Sequence, residues 1–373
     1  MTHNVPIWED NPWTPLPLLQ NDVTTDICVI GLGGSGLSCI EEFLAQGRRV
    51  IGIDAGIVAG GAAGRNGGFL LAGLALSHHE ALEKLGGERA KKLYEFSLEQ
   101  LEHIIETTPE AVRQVGSLRI AYDEREFEDC EAQYGAMCAD GLNVQRYEGA
   151  EGRGLLFPHD AAFQPLLRCR LLAKQVMQNG AALFENTPAL ELQGTTVLTP
   201  HGRIKANKVG VAVDGKLEHL LPELSSRVRT ARLQMLGTAP TTEVSIPRPV
   251  YHRWGYEYWQ QLPNGSIALG GFRDHFKELE WTKENTPSSE IQGLLEDFLR
   301  NHLQVQAEIT HRWAANVSYT ENYLPIAEEV RENVWAIGAY CGTGNVIGAL
   351  CGRALAEYLS TGKSERWAYL KSA

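Results

Sequence analysis

The sequence predicts an α/β protein, a Rossmann-type nucleotide-binding domain interleaved with a second, α+β domain on a mixed or antiparallel sheet. Three observations carry this. Between residues 26 and 53 a strand, a glycine turn, a helix and a second strand follow one another, the order of a parallel βαβ unit. Near the other end, residues 333–359 repeat the pattern of strand, Gly-rich turn and helix. Residues 250–271 instead alternate aromatic and polar side chains around Asn264-Gly265, an antiparallel hairpin with its turn. A chain of 373 residues has room for two such domains.

Element by element, Asp26–Ile30 (DICVI) is a short apolar run ending at glycine, hence a buried strand. Leu37, Ile40, Phe43 and Leu44 share a helical face, and Gly47 marks its stop. Val50–Ile53 is the next buried strand. Residues 56–73 hold too many glycines for a helix interior, so they form a loop whose backbone approaches something closely. Residues 77–112 are helical, 116–122 a strand and 126–139 helical. A helix spans 165–179, and 181–184 is a strand. Two or three short strands follow over 187–215, with turns at Gly194 and Gly202. Residues 333–338 are a late strand, 339–345 a glycine turn and 346–359 the closing helix. The first 25 residues, rich in Pro and Trp, read as an extended arm on the surface.

Composition removes several functions. Lys and Arg total 34 against 46 Asp and Glu, a net charge of −12, which argues against nucleic-acid binding because that needs a basic footprint. The seven cysteines (28, 39, 130, 138, 169, 341 and 351) contain no CxxC pair, so neither a disulfide framework nor a metal centre is expected. The N-terminus lacks the basic and apolar regions of a secretory signal. No run reaches the ~18 apolar residues of a spanning helix. A cytoplasmic protein with no transmembrane segment is the expectation.

The chemistry starts at GLGGSG. Gly31, Gly33 and Gly36 occupy the GxGxxG positions, with Gly34 and Ser35 between them. The first glycine allows the tight turn, the second lets a pyrophosphate touch the backbone, and the third lets helix and strand pack. The helix N-terminus then offers free amides and a partial positive charge to the phosphates. Asp54, followed by Ala55, ends the second strand, where a carboxylate accepts from a ribose. A turn that only packs, and an acid that only ends a strand, are the alternatives. The segment GGAAGRNGGF (60–69) is a second glycine loop directly after that strand. It implies a cofactor extending beyond its pyrophosphate, FAD rather than NAD, in a glutathione-reductase-like domain.

With these motifs in hand, the chain resembles the FAD-dependent amine and amino-acid oxidases of the D-amino-acid oxidase superfamily. That group includes glycine oxidase, sarcosine oxidase and gamma-glutamylputrescine oxidoreductase, and the GRNGG loop is most similar to the last branch. The resemblance implies that Ala63, Gly64, Arg65, Asn66, Gly67 and Gly68 lie along the ribityl chain and ring. It puts the main chain of Ala189 at the adenine and Gly342, Thr343, Gly344 and Asn345 at the pyrimidine side of the flavin. The implied division is 1–80, 165–228 and 320–373 for the FAD domain, with 81–164 and 229–319 for the substrate domain. Departures are Ala63 for a usual Ser, Asp54 for a usual Glu, and Val213-Asp214 for a usual Ala-Gly. No Cys lies in 313–320, where sarcosine oxidase links its flavin, so noncovalent FAD is expected. Val317 stands where related oxidases place a carboxylate-gripping Arg, and Arg312 faces elsewhere.

The resemblance further implies hydride transfer from the carbon next to a neutral amine, giving an imine that water hydrolyses. Oxygen or a quinone-type acceptor then reoxidises the flavin. For the substrate cavity the candidates are Trp254, Tyr256 and Tyr258, with Tyr340 from the flavin turn, because aromatic rings suit a cationic amine that must lose water and a proton. A plain sheet-core stripe is the competing account of these rings. Arg273 is the candidate for a distal carboxylate. The readings in play are oxidation of a primary or secondary amine, possessing a gamma-glutamylputrescine-like or other amino-acid origin; a glycine-oxidase-like or D-amino-acid oxidase acting on small amino acids; and a non-catalytic flavin-binding subunit.

Overall fold

The computed structural model describes residues 2–9 and 12–372; Met1, Asp10, Asn11 and Ala373 lie outside the described residues. Two large sheets organise it. The first has eight strands. Ala182–Phe184, Val50–Ile53, Val23–Ile30 and Gly202–Val211 run parallel in that spatial order. The far edge of Gly202–Val211 pairs with Thr196–Thr199 near its start and in parallel with Val334–Gly338 near its end. Glu191–Gln193 and Ile326–Arg331 complete the sheet in antiparallel pairings.

The Val23–Ile30 strand shows why the run is continuously apolar. Ile27 and Val29 face one core, with Leu37, Ile40, Phe43 and Leu355. Cys28 and Ile30 face another, with Ile53, Val209 and Leu221. A strand buried on both faces cannot alternate. The helices Gly34–Ala45, Pro165–Gln178 and Ala349–Thr361 cover the first face. Helices 34–45 and 349–361 cross so closely that a Cβ on Gly352 would stand 2.2 Å from the Ser35 carbonyl oxygen.

The second sheet has nine strands in the order Thr2–His3, Ile309–Tyr319, Arg229–Thr238, Ile267–Gly271, Glu257–Gln261, Val250–His252, Ser117–Ile120, Gly152–Phe157 and Gln145–Gly149. It is mixed: Thr2–His3 and the 117–120/250–252 pair are parallel, the rest antiparallel. One face buries Leu118, Val250, Trp259 and Leu269 under the Ser289–Asp297 helix. The other face floors the cavity described below. A third, three-stranded sheet joins Phe69–Leu70, Ala161–Phe163 and Val112–Arg113.

Three expectations change. The N-terminal arm is a surface strap only in part: residues 12–18 are exposed or half-buried, but the segments on either side are anchored. Thr2–His3 joins the nine-stranded sheet, Trp8 is 1% exposed, and the buried Glu185 carboxylate accepts from Trp13 Nε1 and Leu16 N. An arm with no ladder of its own finds its acceptors in the core. The 56–73 loop contains a short 3₁₀ turn (Ala62–Gly64) and the strand Phe69–Leu70. The 250–271 hairpin has its Asn264-Gly265 turn, closed by Leu262 N to Ser266 O at 2.8 Å, but its first strand is broken. Arg253, Trp254 and Gly255 adopt φ of +50°, +53° and +82°, so of the three alternating aromatics only Tyr258 lies on a strand.

Candidate active site

The two glycine loops, from opposite ends of the sequence, meet. Asn66 Nδ2 donates to Asn345 Oδ1 at 2.9 Å, and Asn345 Nδ2 returns to Asn66 Oδ1 at 3.1 Å and to the Phe69 carbonyl at 2.8 Å. The GRNGG backbone is held from behind by side chains far away in sequence. Trp313 Nε1 donates to the Arg65 carbonyl, Trp8 Nε1 to the Asn66 carbonyl, and Gln260 Nε2 to the carbonyls of Gly67 and Gly68. Arg65 is itself braced by the carbonyls of Ala314 and Asn4. With the carbonyls taken, the amides of Asn66 and Gly67 have no acceptor among the described residues, and both residues line the main cavity. Trp8, Trp313 and Gln260 were not singled out from sequence; only their long-range hydrogen bonds reveal them.

At the first loop, the third glycine is dictated by space: a Cβ on Gly36 would stand 1.8 Å from the Gly31 carbonyl oxygen. The Gly34–Ala45 helix begins at Gly33 with no side-chain cap, so its first amides are unpartnered donors. Ala63 packs against Gly33, and Gly64 is buried beneath it. The Asp54 carboxylate accepts from Leu32 N at 2.8 Å and Gly56 N at 2.9 Å, and burial raises its pKa. It therefore ties the first glycine turn to the segment carrying Ala55, and two of a carboxylate's roughly four acceptor positions stay open. The stretch leading to Ala189 runs beside it, with Thr187 N donating to the Asp54 carbonyl at 2.7 Å.

The departure at 214 has a visible reason. Asp214 Oδ1 accepts from Tyr340 N at 3.0 Å, and its main-chain oxygen accepts from Ser318 Oγ at 2.7 Å. The acid therefore holds the start of the 340–345 turn. At Gly342, φ +94°, a Cβ would meet nothing nearer than the Tyr319 hydroxyl at 4.0 Å, which leaves that backbone open to the cavity.

Tyr340 is a correction. Its ring packs over Gly344 and Gly348, its hydroxyl donates to Ser35 Oγ at 2.7 Å, and it is absent from the cavity wall. It is a strut between the two loops rather than a substrate contact. Tyr256, Tyr258, Trp254 and Arg273 do line the cavity, with Val317, Tyr319 and Cys341. The cavity measures about 530 Å³ and also exposes Arg65, Asn66, Gly67, Gly342, Thr343 and Asn345. Tyr258 lies against Gly67, 3.0 Å from the position of a Cβ there, and edge-on to Phe69. Trp254 is at the rim, 42% exposed, its amide anchored on Glu126 Oε1.

Arg273 lies on this wall beside the flavin turn, and no acid among the described residues forms an ion pair with it. Its guanidinium stacks over Tyr319 at 4.7 Å and Trp281 at 5.0 Å, and Nη1 is buried without a hydrogen-bond partner. Arg312, as expected, points away, to Glu296 and Gln292. Cys341 is held by Thr320, and burial raises its thiol pKa.

These residues fit a flavin dinucleotide: uncapped helix amides for the pyrophosphate, free amides on a second loop, and an open glycine turn facing it. Residues 26–358 match the family described as FAD dependent oxidoreductase (DAO). The chain is 27% identical to the oxidoreductase OrdL of Rhizobium meliloti (strain 1021), covering 95% of this chain and 87% of that protein. It is 25% identical to gamma-glutamylputrescine oxidoreductase of Escherichia coli (strain K12), covering 96% and 88%. Its fold is similar to L-proline dehydrogenase from P. horikoshii (TM-score 0.75, 19% identity, 94% and 96% covered). It is equally similar to glycine oxidase from Geobacillus kaustophilus (TM-score 0.75, 18% identity, 91% and 95% covered). The chain belongs to the DAO family of FAD-dependent oxidoreductases, and FAD is its cofactor.

Proposed function

We propose that this enzyme oxidises an amine that also carries a carboxylate, an amino acid or amino-acid-derived amine, at the carbon bearing nitrogen. A gamma-glutamylputrescine-like compound belongs to this class. The observation that supports it is Arg273. A guanidinium between two rings, with a buried and unpartnered Nη1, is costly unless an anion arrives. A substrate carboxylate supplies that anion, in the charge-assisted geometry arginine favours.

When bound, FAD supplies the hydride acceptor. The chain's own residues orient and desolvate. Arg273 fixes the carboxylate. Tyr258, whose hydroxyl makes no hydrogen bond and whose pKa burial raises, stays a neutral donor or acceptor beside Gly67. Tyr256, Tyr319 and Trp254 narrow the approach, and the loss of water favours the neutral amine over its ammonium form. FAD would be held noncovalently, since burial raises the pKa of the Cys341 thiol at the flavin turn and Thr320 engages it. Oxygen or a quinone-type acceptor would take up the electrons, and the cytoplasm is the compartment we propose.

A second reading, glycine-oxidase-like action on small amino acids, shares the Arg273 grip. Val317 on the wall disfavours it, because that position gives no second cation for a short substrate. Anaerobic mixing of the yellow holoprotein with paired amines, with and without a carboxylate, tests the proposal. Bleaching by the carboxylate-bearing member is expected, and R273M should raise its KM roughly 10- to 100-fold, the worth of a charge-assisted hydrogen bond. Bleaching by neither leaves a non-catalytic flavin-binding subunit, and equal bleaching by both removes the carboxylate.

A further inference from the structure

The cavity does not end at Tyr258. On one face of the nine-stranded sheet, register sets a row of neighbours: Met235 beside Gly270, Gly270 beside Tyr258, Tyr258 beside Tyr251, and Tyr251 beside Arg119. Strands lie ~4.8 Å apart, so Arg119 stands roughly 10 Å beyond Tyr258, away from the flavin turn. Met235, Tyr258, Tyr251 and Arg119 line one continuous cavity. Its far part is closed by Tyr94 from the Gly87–Thr107 helix, Gln133 and Asp129 from Glu124–Ala139, and Asp160.

Three groups of this far chamber, the Tyr94 and Tyr251 hydroxyls and the Asp160 carboxyl, can accept further hydrogen bonds from a ligand. Tyr94 is 8% exposed and its hydroxyl makes no hydrogen bond; nor does that of Tyr251. Asp160 is 3% exposed. Its carboxyl accepts from Ala72 N at 2.9 Å and Ser117 Oγ at 2.6 Å, and no basic group contributes to its environment. Two of its acceptor positions are therefore unfilled. The basic groups near it are already taken: Arg119 donates to Asp129 and Gln133 at 2.5 Å, with Glu126 at 3.9 Å, His78 pairs with Asp140 at 2.7 Å and His79 with Asp129 at 3.2 Å. Asp160 therefore has no cation of its own among the described residues. An ammonium brings three donors and one positive charge, and aromatic faces attract it.

We infer that this chamber is a second recognition site, taking the positively charged, hydrogen-bond-donating tail of an elongated substrate, with Asp160 accepting from it between Tyr94 and Tyr251. The inference rests on the reading that the substrate's carboxylate is gripped at Arg273. The substrate class becomes a carboxylate-bearing amine whose far end is an ammonium or guanidinium. Burial pushes the Asp160 carboxyl up to about 7, as a carboxyl awaiting a cation would be.

The test titrates holoenzyme with hexanoate and 6-aminohexanoate, reading the change each makes in the flavin's visible absorbance. Wild type should bind the amino compound about tenfold tighter or more, the worth of a charge-assisted hydrogen bond. Asp160→Asn should erase that advantage while hexanoate affinity changes less than about threefold. Hexanoate binding as tightly, no saturation by either compound, or an advantage that persists in Asp160→Asn overturns the inference. Should that variant fail to fold, Tyr94→Phe and Tyr251→Phe keep both rings, and an undiminished advantage in both is equally fatal. Arg273→Met separates the two sites: it should weaken both compounds alike. If it does not, the carboxylate grip fails, and butane-1,4-diamine against butylamine in wild type still decides the chamber.

Discussion

Two side chains set the chemistry of the near wall. Arg273, stacked on Tyr319 and Trp281, has a buried Nη1 without a partner among the described residues, and Tyr258, beside the loop that carries Gly67, has a hydroxyl without one. Tyr258→Phe keeps the ring and its edge contact with Phe69 but removes the hydroxyl, and with it the one hydrogen bond of ~1 kcal/mol it would make to a bound substrate. The rate of flavin reduction by a good substrate should fall roughly three- to tenfold, with FAD content unchanged. Stopped-flow reduction beside a flavin-to-protein absorbance ratio measures both, and an unchanged rate removes Tyr258 from the site. Arg273 was legible only as a candidate. Its identity and position were in the sequence, but the stacking on Trp281 and Tyr319 that isolates its charge depends on residues 8 and 46 positions away. Tyr340 misled for the same reason: proximity to the flavin turn in sequence does not say which side of the turn the ring takes.

Among elements, the two glycine loops are the functional pair, and the Asn66–Asn345 amide exchange couples them. Asn345→Ala removes both bonds of that exchange and the one to Phe69. At ~1 kcal/mol each, FAD affinity should fall about tenfold or more while the two sheets stay folded; FAD titration of the apoprotein with far-UV circular dichroism checks this, and an unchanged Kd argues that the loops are held elsewhere. The helix crossing at Gly352 is a second test. Gly352→Ala puts a methyl into 2.2 Å of space at the Ser35 carbonyl, an overpacking worth ~1–3 kcal/mol. Thermal unfolding of the apoprotein should show that loss. The elements themselves were largely legible, because strands buried on both faces, helix periodicity and an Asn-Gly turn are local signals. The break at 253–255 was not. Nothing in Arg-Trp-Gly announces consecutive left-handed residues, and they hold because Arg253 pairs with Glu257 and Asp274 while Glu126 takes the Trp254 amide.

At the scale of the molecule, what was least legible is what register creates. Arg119 shares a cavity floor with Tyr251 and Tyr258 only because the distant strand 117–120 aligns with the neighbouring strands 250–252 and 257–261, and a one-residue slip would turn those side chains to the opposite face. The same burial that makes the chamber has a cost that pH exposes. Asp160 is held up to about 7 in the fold, against ~3.9 in an unfolded chain. Between those values the native state keeps a proton that the unfolded state has released, so stability is full below pH ~4 and declines as pH rises through 7. Three units correspond to ~4 kcal/mol at most for this group. Asp214, also held up to about 7 by burial, adds a loss of the same sign. Asp160→Asn cannot ionise, so the variant apoprotein should lose several degrees less in Tm between pH 5 and pH 8 than wild type. A cationic ligand in the chamber should act in the same direction, since it stabilises the ionised carboxylate and draws its pKa down. Parallel Tm–pH curves for the two proteins would mean that Asp160 is already ionised in the fold, and that a cation other than substrate balances it.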